Sequence, residues 1–249
     1  GANSQHNGMY YARPDGRVMF LPHDMDFAFD AGRTIFANSQ CSKLTADPVR
    51  RRLYLGHLHD IISTTYNSSY MSMWTSHLQS LDSSQPWNTH LNYINSRSNN
   101  VLSQINSRVA PTTFDITTTN PHNVNGSTAT LSGDGWVDVR SFRLAGGGVL
   151  DATWTDNNSW QLTIPVSLGA NTITIEALNF SGNVIGTESI TINNSGSVEP
   201  ASAANLAISE IMYHPGAPTP SEISSGFTDD AAFEFIELMN IVDNEVDLT

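Results

Sequence analysis

Met9-Tyr10-Tyr11-Ala12-Arg13 and Arg17-Val18-Met19-Phe20-Leu21 are two short β-prone runs on either side of Pro14-Asp15-Gly16, and Pro22-His23-Asp24-Met25-Asp26 follows directly. Pro presets one turn angle, Asp bonds back to its own backbone and Gly accepts a left-handed conformation, so the three together specify a chain reversal. The reading is a β-hairpin. With Arg13 opposite Arg17, counting outward sets Asn7 opposite His23, and the two ends of the hairpin are expected to be neighbours. Asp24 and Asp26, two positions apart, face one side of an extended backbone, or converge on one cation in a loop. Hard carboxylates suit Mg²⁺ or Ca²⁺ better than zinc, and Asn7 offers a neutral amide oxygen beside them. Asp30 is expected to lie outside such a site. An Asp-x-Asp pair also caps helices or faces solvent, so its spacing alone does not decide between these roles.

The order of the residues adds information. In kinases one metal-binding Asp follows a hairpin and an Asn precedes it, and the ion neutralises the phosphates during transfer. His6-Asn7, the Tyr10-Tyr11 strand, the Asp15-Gly16 turn and Leu21-Pro22-His23-Asp24-Met25-Asp26-Phe27-Ala28-Phe29 resemble the spore-coat CotH kinase-like family. The resemblance covers residues 1–110 and is clearest over 6–29. It implies an atypical protein-kinase fold, ATP with Mg²⁺ as cofactors of the intact parent, and phosphate transfer to Ser or Thr of secreted proteins. Asn7, Asp24 and Asp26 would then bind the metal and cofactor, with Asp24 slightly ahead as principal ligand. His23 departs from the Trp common in the family. The resemblance also leads one to expect a general-base Asp a few residues before Asn7 and a phosphate-binding Lys on an upstream strand. Positions 1–6 contain no acidic residue, and the one lysine, Lys43, lies after the motif and reads as a solvated charge. This chain by itself is therefore expected not to transfer phosphate.

Behind the hairpin, Asp47-Pro48 reads as a helix start, with Val49, Leu53, Leu58, Ile61 and Ile62 at roughly helical spacing. Two more helices are expected over Tyr70 to Leu81 and from Trp87 through Ile105. Arg50-Arg51-Arg52 reads as a solvated helix surface. His57 and His59, two apart on one helix, do not share a face, and His77 and His90 belong to other helices, so a zinc site is not expected.

After Ala110-Pro111 the pattern turns to short strands: Thr128 to Leu131, Trp136 to Leu144, Val149 to Trp154, Trp160 to Pro165, Thr172 to Leu178 and Ser189 to Ile192. This stretch resembles bacterial Ig-like repeats, and Trp136, Trp154 and Trp160 read as core rather than as a sugar-stacking platform. Residues 196–205 read as a linker. Two further strands, Leu206 to Tyr213 and Phe233 to Met239, with Val246-Asp247-Leu248, resemble the start of a lamin-tail domain, in which Glu210, Glu234 and Glu237 read as a solvated face. The fold class is thus multidomain α+β: a mainly helical kinase-like C-lobe with a hairpin (1–110), an Ig-like β-sandwich (111–195) and a truncated second β-sandwich (206–249). The chain is expected to be an internal piece of a secreted or surface bacterial protein.

Composition narrows the partners. The net charge of −13 divides as +2 over 1–110, −5 over 111–195 and −10 over 196–249. Such acidity disfavours nucleic acid and anionic lipid, and no run reaches the roughly 18 to 20 apolar residues of a membrane span. The single cysteine, Cys41, has no internal disulfide partner. A secreted or surface protein substrate is the partner expected of a kinase. Under the competing reading the chain is a non-catalytic adhesion protein with a kinase-like scaffold, whose β modules bind proteins or polysaccharide.

Overall fold

The computed structural model describes residues 8–22, 30–36 and 39–248; their elements are mixed α and β. Strands β1 (Gly8–Ala12) and β2 (Val18–Pro22) precede four helices, α1 (Ser39–Leu44), α2 (Pro48–Thr64), α3 (Ser68–Leu81) and α4 (Trp87–Arg108). Then come β3 (Asp115–Ile116), β4 (His122–Val124), β5 (Thr128–Asp134), β6 (Ser141–Leu144), β7 (Val149–Leu150), β8 (Ala152–Trp154), β9 (Ser159–Pro165), β10 (Gly169–Leu178) and β11 (Val184–Asn194). The chain continues through β12 (Val198–Pro200), β13 (Leu206–Met212), α5 (Pro220–Ser224), β14 (Phe235–Asn240) and β15 (Glu245–Asp247).

Contacts divide the chain into two compact units, one of 1–118, 131–162 and 174–189, the other of 119–130, 163–173 and 190–249. Strand order is β4-β11-β10-β6-β7 in one sheet and β3-β5-β9-β8 in another.

In the first unit, local signals start the helices. Asp47 accepts a hydrogen bond from Arg50 N at 2.8 Å at the head of α2, and Asn67 accepts one from Tyr70 N at 2.9 Å at the head of α3. Packing then selects their faces. Ile35, Leu55, Val101, Ile105, Val109 and Val137 form one buried cluster, with Trp136, Tyr54 and Leu58 against it. Residues 131–162 and the helices therefore share a core. Phe142 and Trp160 make an aromatic centre, their rings 4.9 Å apart, and Phe114 stacks on Trp160. Trp160 is wholly buried, whereas Trp136 and Trp154 are half-buried at the edge of the core.

The α2 face differs from the one the apolar spacing predicts. Val49, Leu53 and Ile61 are exposed, whereas Arg52, Leu55 and Gly56 are buried. Arg52, read from sequence as a solvated charge, is 4% exposed. Its guanidinium donates to four backbone carbonyls: Gly135 at 2.9 Å, Asn157 at 2.8 Å, Trp136 at 2.5 Å and Val139 at 2.7 Å. This cage also corrects the strand expected over 136–144. Gly135, Trp136 and Val139 turn their carbonyls toward the guanidinium instead of into a ladder, and β6 begins only at Ser141. The stretch 149–154 likewise splits into β7 and β8, which join different sheets.

In the second unit β4 pairs in parallel with the end of β11, Ile192 opposite His122. Ile164, Val166, Ile190 and Ile192 are buried, and buried Asn194 donates to Val166 O at 3.1 Å. The segment read as a linker contains β12, which pairs in parallel with β15. Ser127 Oγ donates to the Asp247 carboxylate. Strands β13 and β14 form an antiparallel two-stranded sheet with a bulge between Ile208 and Glu210. Every residue of β14 is exposed. Two strands alone leave both faces open, so among the described residues the apolar side chains of β14 stay exposed.

Candidate functional site

The hairpin forms in the register that turn chemistry sets. Arg13 N donates to Arg17 O at 2.8 Å, and Asp15 Oδ1 accepts from Arg17 N at 3.2 Å. Gly16 has φ +77°, a conformation that non-glycine residues enter only with strain. Pairing then runs outward from Ala12 opposite Val18 to Gly8 opposite Pro22. The chain thus leaves toward the Asn7 side and the Asp24 side from the same end of the hairpin. Asn7, His23, Asp24 and Asp26 themselves lie outside the described residues.

The next described segment, 30–36, is held from two helices. Asp30 Oδ1 accepts from Gly32 N at 2.9 Å, a local turn that occupies one carboxylate oxygen. From α4, Arg97 Nη1 donates to Ala31 O at 3.2 Å and to Arg33 O. Gln104 Oε1 accepts from Ile35 N at 2.9 Å, and its Nε2 donates to Arg33 O at 3.1 Å. From α2, Tyr54 donates its hydroxyl to Ile35 O at 2.6 Å. A non-repetitive segment with its carbonyls and amides satisfied by helix side chains is a fixed element.

The remaining residues singled out in the sequence scatter. Lys43 is exposed. Cys41 is half-buried, within hydrogen-bonding reach of Tyr54. His57 packs edge-on against Phe180 and His59 against Trp136. Burial pushes the His59 pKa below its usual value, against the pull of Asp138 and Asp60. Trp136 donates its indole N–H to Val109 O at 3.0 Å. Glu237 accepts from Ser209 Oγ at 2.6 Å and Glu234 from His214 N at 3.3 Å, both on exposed residues. No cluster of three or more His, Cys, Asp or Glu that could hold a metal ion occurs among the described residues. Among the same residues, no helix is long and apolar enough to cross a membrane.

Arg52 is the residue that sequence reading misplaced. Burial pulls its pKa down to about 9, against the raising effect of Asp138. A signal was present: Arg52, Leu55, Gly56 and His59 recur at positions i, i+3, i+4 and i+7, a single helix face that includes the one glycine of α2.

No protein-family model matches this chain, and no curated protein matches it. Among solved structures it is similar to the BIgI domain of the beta protein from S. agalactiae, a structure of that domain bound to CEACAM1. The identity is 16%, the match covers 34% of this chain and 96% of that one, and the TM-score is 0.24.

Proposed function

We propose that residues 1–110 form the metal- and nucleotide-phosphate-binding lobe of a CotH-like atypical protein kinase, carried in a secreted or surface protein together with β modules. The observation that carries this reading is the order Asn7, hairpin, Asp24-Met25-Asp26, with Gly8 paired to Pro22 across the hairpin. Two carboxylates and an amide oxygen are a donor set that suits Mg²⁺. Asn7, Asp24 and Asp26 would hold the ion, and the bound ion would neutralise charge on the phosphates. The anchoring of 30–36 by Arg97, Gln104 and Tyr54 supports the reading, because a chain fixed just beyond the motif limits the conformations that its carboxylates must be drawn from. The role proposed for this chain is binding, since positions 1–6 lack an acidic residue that would serve as general base.

The experiment is a titration of the chain with fluorescent N-methylanthraniloyl-ADP, with Mg²⁺ or with EDTA. The expected result is Mg²⁺-dependent binding that the double variant Asp24→Asn/Asp26→Asn loses, with no transfer of labelled phosphate from ATP to a generic Ser/Thr substrate. Equal binding in EDTA, or in the double variant, would overturn the metal assignment. Robust phosphate transfer would overturn the binding-only role.

A second reading, an adhesion or interaction role for the β modules, is favoured by one observation. Ile208, Ile211, Ile236, Leu238 and Met239 are all exposed on the β13/β14 sheet, and clustered exposed apolar residues of this kind mark interaction surfaces.

A further inference from the structure

Segment 30–36 and helices α2 and α4 line an open cavity of about 370 Å³. Small-molecule sites span roughly 300 to 1,000 Å³, are mainly apolar and carry a few convergent polar groups. This cavity has that composition. Leu58, Ile62, Val101 and Ile35 supply apolar wall, and Tyr54, Tyr66, Tyr93, Arg33, Arg97 and Cys41 supply the polar groups.

Among the described residues the charge in the cavity has one sign: no Asp or Glu lines it, and neither Arg33 nor Arg97 makes an ion pair. The phenols do not neutralise the guanidinium groups. Burial raises the pKa of Tyr54, reinforced by Cys41, and raises that of Tyr66, reinforced by Tyr93, so both stay protonated despite Arg97. Arg97 is also only partly engaged. Among the described residues its hydrogen bonds, to Ala31 O, Arg33 O and Asn100 Oδ1, all come from Nη1, and Nε and Nη2 have no acceptor. Those two nitrogens are the edge with which a guanidinium grips a carboxylate through two parallel bonds.

We propose that this cavity is a binding site for a small amphipathic carboxylate, its apolar body against Leu58, Ile62 and Val101 and its carboxylate on Arg97, with Arg33 as a second positive charge. The site is separate from the nucleotide reading above. An apolar wall with two guanidinium groups selects an organic acid over both a neutral hydrocarbon and a fully polar anion.

The test uses the whole chain and two probes of one shape, 2-naphthoate and the uncharged 2-naphthamide, with affinity measured by calorimetry. A second readout is the rate at which Cys41, the only cysteine, is alkylated by iodoacetamide. The expected result is naphthoate binding at one site that slows Cys41 alkylation, with naphthamide at least about tenfold weaker, as the loss of a charge-assisted pair implies. Arg33→Gln, which removes no hydrogen bond among the described residues, should weaken naphthoate about tenfold or less and leave naphthamide unchanged. Ile62→Trp, from a half-buried position, should fill the cavity and abolish both, with circular dichroism confirming that the fold is kept. Equal affinity for the two probes, naphthoate binding that ignores both variants, binding without protection of Cys41, or no binding at all would each overturn the proposal. Neither readout involves Mg²⁺ or nucleotide, so failure here is distinct from failure of the kinase-lobe reading.

Discussion

The Arg52 guanidinium lies 3.2 Å from the centre of the Trp154 ring while its edge is ringed by four carbonyls. The ring covers one face of the cation and the carbonyls take its N–H groups, so a buried charge is stabilised by dipoles and a π face, without an ion-paired carboxylate among the described residues. Replacing it by alanine leaves those carbonyls without partners in the interior. Arg52→Ala is expected to destabilise the chain by about 3 to 5 kcal/mol, read as a lower urea midpoint. Arg52→Lys keeps the charge but presents a point cation with three donors to four acceptors, so it should recover only part of the loss. Full recovery by lysine would show that charge, and not the planar fork, is what this position requires.

Gly56 reverses an ordinary rule. In a helix interior Gly→Ala usually stabilises by about 1 kcal/mol. A methyl group here would stand 2.6 Å from Val137 O and 2.7 Å from Phe180 Cζ. Gly56→Ala should therefore lower stability by about 1 to 3 kcal/mol through overpacking. A rise in melting temperature would contradict the seating of α2 on residues 137 and 180.

His59 gives the fold a pH dependence with a defined sign. Its folded pKa lies below the ordinary value of about 6.5 because burial disfavours the imidazolium. Between the two values the unfolded chain binds more protons than the folded one, so stability rises with pH across that window. As pH falls below about 6.5 the stability from this residue is lost, until the folded form also protonates. His59→Gln should flatten that part of a urea-midpoint profile taken from about pH 7, just above the ordinary histidine value, to about pH 4, where the carboxylates titrate. An unchanged slope would assign the acid sensitivity to the carboxylates.

Gln104 is a two-ended clip, accepting from Ile35 N at 2.9 Å and donating to Arg33 O at 3.1 Å. Gln104→Ala should speed amide hydrogen exchange at Ile35 by about an order of magnitude, the equivalent of one net hydrogen bond, with little change in global stability. Exchange at Ile35 as slow as in the parent chain would show that Tyr54 and Arg97 hold the segment without Gln104.

Much of the local structure is written in the sequence because its causes are local. Pro14-Asp15-Gly16 set the hairpin and, by counting, the pairing of Gly8 with Pro22; Asp47-Pro48 set the start of α2; period-two apolar runs set β9, β10 and β13 near their observed limits. The residues chosen for metal and cofactor, Asn7, Asp24 and Asp26, came from the same kind of reading, and they fall outside the described residues.

Tertiary structure decided what no local pattern encodes. Three consecutive arginines are alike in sequence, yet Arg50 is exposed, Arg51 reaches Thr45 O and Ala46 O, and Arg52 is buried. The difference arises because carbonyls from 135–139 and 157, more than eighty positions away, converge on one of the three. The cavity beneath Arg97 has the same origin: its wall joins 33–35, 41, α2 and α4, and only packing brings them together. Turns, caps and periodicity act over a few residues and so are fixed by the sequence itself, whereas burial of a charge depends on distant acceptors that exist only once the chain has folded.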